Sequence, residues 1–129
     1  MNSNQFEFYE DDEGISVDIN LDVFNSDKTP IVYLESSSYD DKMIEDINFI
    51  IDNKLKFFEL SKKEICNYVK AMHDSKNINI KLIKVYIFPD IRHEFGFMFR
   101  WEDDIEHGIG VKFFGLEVKK IGSAEVAFL

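Results

Sequence analysis

The chain has 129 residues, 25 acidic against 15 basic, a net charge of −10 and one cysteine. A chain of this length reads as one domain, 1–129, and the charge argues against nucleic acid and anionic membrane surfaces while favouring a basic partner or a cation. Cys66, being alone, excludes an internal disulfide and any paired-cysteine metal spacing.

The opening MNSNQFEFYEDDEG lacks the basic and apolar regions of a signal peptide, and no apolar run reaches the about 18 residues of a membrane span, so a cytoplasmic protein is expected. Phe6 and Phe8 suggest a short strand, and Glu10–Gly14 a turn in which glycine is free to take positive φ. Ile15, Val17, Ile19, Leu21 and Val23 then alternate with Ser16, Asp18, Asn20 and Asp22, which predicts a half-buried strand with an acidic outer face. Ile31–Leu34 reads as a third strand that Pro30 introduces.

From Met43 to Phe58 the apolar residues follow helical spacing, with Ser38 and Asp41 as the start; an αL conformation at Asn53 could end the helix early, and where it stops is left open. Ser61 and Glu64 match a capping box flanked by the Leu60/Ile65 staple, so a second helix is expected there, burying Ile65, Tyr68, Val69 and Met72 and ending in the polar run His73–Asn77. Ile78–Phe88 is a strand whose apolar phase changes between Leu82 and Ile83, the signature of a bulge or of two buried faces.

Phe95, Phe97, Phe99 and Trp101 fall at every second position and project to one buried side, and Ile109, Val111 and Phe113 resume the alternation after Glu102–His107. A last strand follows the turn at Gly115. Strands and helices are segregated, which predicts an α+β fold: a single antiparallel sheet with two consecutive helices packed on one face. Gly96, Gly108 and Gly110 are expected to leave room for large rings, Trp101 above all, since G-x-G leading into a strand is no dinucleotide fingerprint.

Asp103, Asp104, Glu106 and His107 form the one compact group of candidate site residues. Carboxylates beside an imidazole can bind a divalent cation or share a proton, but the loop has neither the pattern of a calcium-binding helical loop nor an H-E-x-x-H helix, so it reads as a solvated turn with no metal and no cofactor. Cys66 and His73 share a helix flank but lie about 10 Å apart along the axis, too far to form a thiolate–imidazole pair.

The run from Phe95-Gly96-Phe97 through Trp101 and Asp104-Ile105-Glu106-His107-Gly108-Ile109-Gly110-Val111 to Lys120-Ile121-Gly122 resembles the C-terminal signature of a family of small uncharacterised bacterial domains. The likeness covers the last third of the chain. It implies a single-domain cytosolic protein; some members are suspected immunity proteins of polymorphic toxin systems, and the family carries no agreed chemistry.

The expected function is therefore that of a non-enzymatic binding protein, an immunity protein whose acidic surface meets a basic toxin domain, with Asp18, Asp22, Asp103, Asp104, Glu106 and His107 as the partner-binding candidates. The alternatives are a small cation-dependent hydrolase using the loop Asp103-Asp104-Glu106-His107, and a self-associating module that pairs through an edge strand. Sheet order and oligomeric state are left open.

Overall fold

The computed structural model of the protein describes residues 6–129. Residues 1–5, the start of the stretch read above for a signal peptide, lie outside the described residues. Seven strands form one sheet whose spatial order follows chain order: β1 (Phe8–Asp11), β2 (Gly14–Ile19), β3 (Thr29–Leu34), β4 (Ile80–Ile87), β5 (Glu94–Trp101), β6 (Ile109–Phe114) and β7 (Glu117–Gly122). Between β3 and β4 run α1 (Asp41–Asp52) and α2 (Lys54–His73).

The sheet is mixed, which corrects the antiparallel expectation. β3 and β4 pair in parallel, Ile31 with Val85 and Tyr33 with Ile87, while every other neighbouring pair is antiparallel. The helices are the cause: a hairpin turn reverses the chain, whereas a long crossover returns it to the end where β3 began. The α+β class and the two helices stand.

One face of the sheet, carrying Val17, Ile31, Tyr33, Val85, Phe95, Phe97, Phe99 and Trp101, packs in a single core with Met43, Ile47 and Ile50 of α1 and Phe57, Ile65 and Val69 of α2. Phe57 is its centre, with ring centroids 5.7, 5.1 and 5.0 Å from those of Phe95, Phe97 and Phe113. The helix boundaries differ from the sequence expectation. Asp40, not Ser38, caps α1, its carboxylate accepting the Met43 N–H at 2.9 Å. Asn53 sits at φ −116°, outside the αL region, and joins α1 directly to α2. The capping-box residue Ser61 therefore lies inside a helix already under way, and Leu55 and Met72, expected on the buried stripe, are exposed.

The strands follow their alternation more closely. β4 carries its register shift between Leu82 and Lys84, where the apolar phase changes. β2 stops at Ile19 rather than Val23, and Pro30 falls inside β3 opposite Asp18, beyond the Ile31–Tyr33 stretch that pairs with β4. No ladder hydrogen bond to β4 is asked of its nitrogen there.

The glycines of β5 and β6 serve a purpose other than making room for Trp101. A short 3-10 helix, Ala124–Ala127, crosses the sheet face away from α1 and α2. A Cβ on Gly96 would lie 1.6 Å from the Ala127 carbonyl oxygen, and one on Gly110 2.7 Å from that of Ser123. The C-terminal backbone occupies the space their missing side chains leave. Among the described residues no helix is long and apolar enough to cross a membrane.

Candidate functional site

The loop between β5 and β6 begins as a 3-10 turn, Glu102–Asp104, and returns through Gly108 at φ 62°. Two of its carboxylates, Glu102 and Asp103, turn onto the connector that leaves α2. Asp103 accepts from the Ser75 hydroxyl at 2.9 Å and from the Asn77 amide, Glu102 accepts from the Asn79 amide, and the Trp101 indole donates to the Asn77 carbonyl at 2.9 Å. Asp104 accepts from the His107 backbone N–H at 3.2 Å and meets the His107 ring at 3.0 Å. That hydrogen bond is the main reason the Asp104 carboxyl is held below its usual range and His107 above its own. Glu106 is exposed and has no hydrogen bond or ion pair among the described residues. Among those residues no group of three or more His, Cys, Asp or Glu is arranged to hold a metal ion.

The other two candidates stand apart from this loop. Asp22 pairs with Lys54 of α2 at 2.7 Å, and that hydrogen bond lowers its pKa. Asp18 projects from β2 on the face away from the helices and accepts from the Tyr9 hydroxyl at 2.7 Å. Burial, then the hydrogen bond to Asp18, pushes the Tyr9 phenol up to about 12. The ends of β2 and β5 share one end of the sheet but stand three strand spacings apart, on the order of 14 Å. The six candidates therefore do not form one cluster.

A different acidic group lies at the opposite end of the sheet. Glu10, Asp11, Asp12, Glu13 and Glu35, from the β1–β2 turn and the end of β3, line an open cleft of about 540 Å³. Gly14 makes this turn possible: its φ is +152°, and a Cβ there would stand 2.0 Å from the Tyr33 carbonyl oxygen. Glu13 reaches across β3 to accept from Lys84 at 2.7 Å and from the Tyr86 hydroxyl at 2.8 Å. Burial first and Glu13 second push the Tyr86 phenol up, so it remains a donor. Glu10, Asp12 and Glu35 are exposed with no ion pair among the described residues. The signal was present in the run Glu10-Asp11-Asp12-Glu13 and in the placement of charge. Residues 1–41 hold eleven of the 25 acidic residues and one of the 15 basic ones, leaving fourteen of each sign for the remainder. The net charge of −10 thus belongs entirely to β1, β2, β3 and the approach to α1.

This acidic third of the molecule also contains an open strand edge. The Ile15 N–H is directed away from β1, to the Ser36 carbonyl at 2.7 Å. Ile15 and its partner Glu10 are consequently a non-hydrogen-bonded pair, and by the two-residue alternation so are Val17 and Phe8. The N–H and C=O groups of Phe8 and Glu10 point outward, along an edge that no described strand covers. Beside it runs a second cleft of about 650 Å³, where Phe6, Phe8 and Ile51 supply apolar wall and Glu7, Asp18 and Lys28 supply charge.

Two buried carboxylates, Asp46 and Glu94, are structural. Asp46 accepts from Lys42 at 2.6 Å and from the His93 backbone N–H at 3.3 Å, while Glu94 pairs with Lys119 at 2.9 Å. Compared with protein-family models, with curated proteins and with solved structures, the chain shows no match.

Proposed function

We propose that the protein is a non-enzymatic binding protein whose partner is a basic protein, held at the acidic edge formed by β1 and its turn. The observation that carries this reading is the segregation of charge: residues 1–41 carry all of the net −10, and Glu10, Asp11, Asp12, Glu13 and Glu35 of that stretch gather at the β1–β2 turn beside outward backbone groups, while the rest of the chain is balanced. An extended basic segment could add a strand to β1, with main-chain hydrogen bonds giving affinity and the carboxylates giving preference for Lys and Arg. The C-terminal resemblance suggests the kind of partner, a toxin domain that an immunity protein neutralises. Asp18 belongs to this acidic third; the Asp103–His107 loop contributes at most a secondary charge, because Asp103 and Asp104, like the adjoining Glu102, already hold the chain's own groups or ring.

Glu10→Pro provides the test. Its N–H faces outward, so proline leaves the β1–β2 ladder intact but removes the donor an incoming strand would use. With a partner isolated on the wild-type chain, Glu10→Pro should weaken binding by at least about tenfold and Glu10→Gln by less. Equal binding by all three proteins would remove the edge from the account. A concentration-dependent mass in the wild type that Glu10→Pro abolishes would instead assign the edge to self-association.

A further inference from the structure

The two residues of β1 that turn their backbone groups outward, Phe8 and Glu10, open onto different surroundings. Phe8 lines the cleft walled by Phe6 and Ile51, whereas Glu10 lines the cleft of the β1–β2 turn. Both side chains project toward the helices, because Phe8 pairs with Val17 and Glu10 with Ile15, and those two partners belong to the core beneath α1 and α2. Two residues of strand set them about 7 Å apart.

The end at Phe8 is built from rings. Phe8 stacks on Tyr39, with centroids 4.0 Å apart, and meets Phe6 edge-on at 6.1 Å, while Tyr39 itself stays exposed. Charge there is mixed, Lys28 against Glu7 and Asp18. At the other end the lining holds five carboxylates and, among the described residues, no cation. Asp11, next to Glu10, projects to the opposite face, where Lys84 stands 3.7 Å away. The far edge of the sheet, β7, is blunted by a register shift and by Lys119 and Lys120, whereas the β1–β2 ladder runs without a shift.

In an antiparallel pair each outward residue exchanges both of its hydrogen bonds with the residue directly opposite, and the two side chains lie on one face about 5 Å apart. A side chain opposite Phe8 therefore meets rings, and one opposite Glu10 meets carboxylates. Because the strands run in opposite directions, the basic position comes first in the partner's chain. We infer that the segment received by β1 is an antiparallel strand with a divided sequence: Lys or Arg opposite Asp11 and Glu10, any residue opposite Tyr9, then an aliphatic side chain opposite Phe8. The inference rests on the edge reading proposed above, and adds to it a direction, a register and an apolar requirement that net charge alone does not supply.

The probe is the end-capped peptide Thr-Arg-Lys-Thr-Leu-Thr-Leu-Thr, titrated into the full chain by calorimetry and by NMR of the backbone amides. Its controls are the reversed peptide Thr-Leu-Thr-Leu-Thr-Lys-Arg-Thr and a copy with serine for both leucines. The first peptide should bind saturably, with its largest amide shifts at Phe8 and Glu10, and both controls should bind about tenfold more weakly or worse. Glu10→Lys, at an exposed position without an ion pair, should weaken the first peptide by about three- to tenfold and turn the preference toward a copy with glutamate for the lysine. No saturable binding, equal affinity for the three peptides, tighter binding of the reversed one, or shifts centred on β7 would overturn the inference. So would a chain whose mass alone doubles with concentration and halves in Glu10→Pro, since the edge would then belong to a second copy. The two readings fail separately: an isolated partner indifferent to Glu10→Pro removes the edge, whereas a partner that needs the edge while the three peptides bind alike removes only the divided sequence.

Discussion

Phe57 is fully buried and meets rings from β5 and β6 at once. Phe57→Ala should destabilise the fold by about 3–5 kcal/mol, while Leu55→Ala on the exposed side of the same turn should stay within about 0.5 kcal/mol. Urea titrations of the two variants check this; similar losses would mean that α2 is rotated from the position described. The pair Asp104 and His107 makes a pH statement. Because His107 is raised in the fold, its contribution is present below the ordinary imidazole pKa and is lost as pH rises through the raised value; because Asp104 is lowered, its contribution is lost as pH falls through the depressed value. Both operate only between those limits. In Asp104→Asn the His107 pKa, followed by NMR, should drop toward the ordinary imidazole value; an unchanged titration would show that the hydrogen bond does not govern it.

At the scale of elements, apolar alternation within a strand carries through to the structure, whereas element ends and strand partners do not follow from the local pattern. The alternation of β5 and β6 and the bulge of β4 are properties of single segments, and they appear where the apolar pattern places them. Ser61 and Glu64 satisfy a local capping rule, yet the apolar contacts of Phe57 extend α2 back to Lys54 and place Ser61 inside the helix. Tertiary packing overrode a terminal signal. The parallel β3–β4 pair was illegible because nothing in either strand records which neighbour it will meet after the helices. Gly96 and Gly110 were expected to leave room for a large ring, but what fills that room is the backbone of the C-terminal 3-10 segment. Gly96→Ala should therefore displace that segment and cost about 1–3 kcal/mol. A stability loss together with faster amide exchange at Val126 and Ala127 would match; a loss centred on Trp101 would not.

Across the whole molecule, the sequence showed how much charge there was before the structure showed where it lay. The site candidates lie beside Trp101 and His107 or, for Asp18 and Asp22, on the outer side of the early strand, and most of their carboxylates engage the chain itself. The exposed, unpaired ones cluster where β1, β2 and β3 meet the turn. Long-range attraction acts on encounter and is screened by salt over about 8–10 Å at moderate ionic strength. The most direct measurement of the central claim is the association rate with the isolated basic partner across a salt series, for the wild type, for Glu10→Gln/Asp12→Asn/Glu35→Gln and for Asp103→Asn/Asp104→Asn. The account predicts a steep fall with salt in the wild type, a slower and flatter profile in the β1–β2 turn variant, and a near-wild-type profile in the loop variant. An association rate indifferent to salt and to the turn substitutions would contradict it.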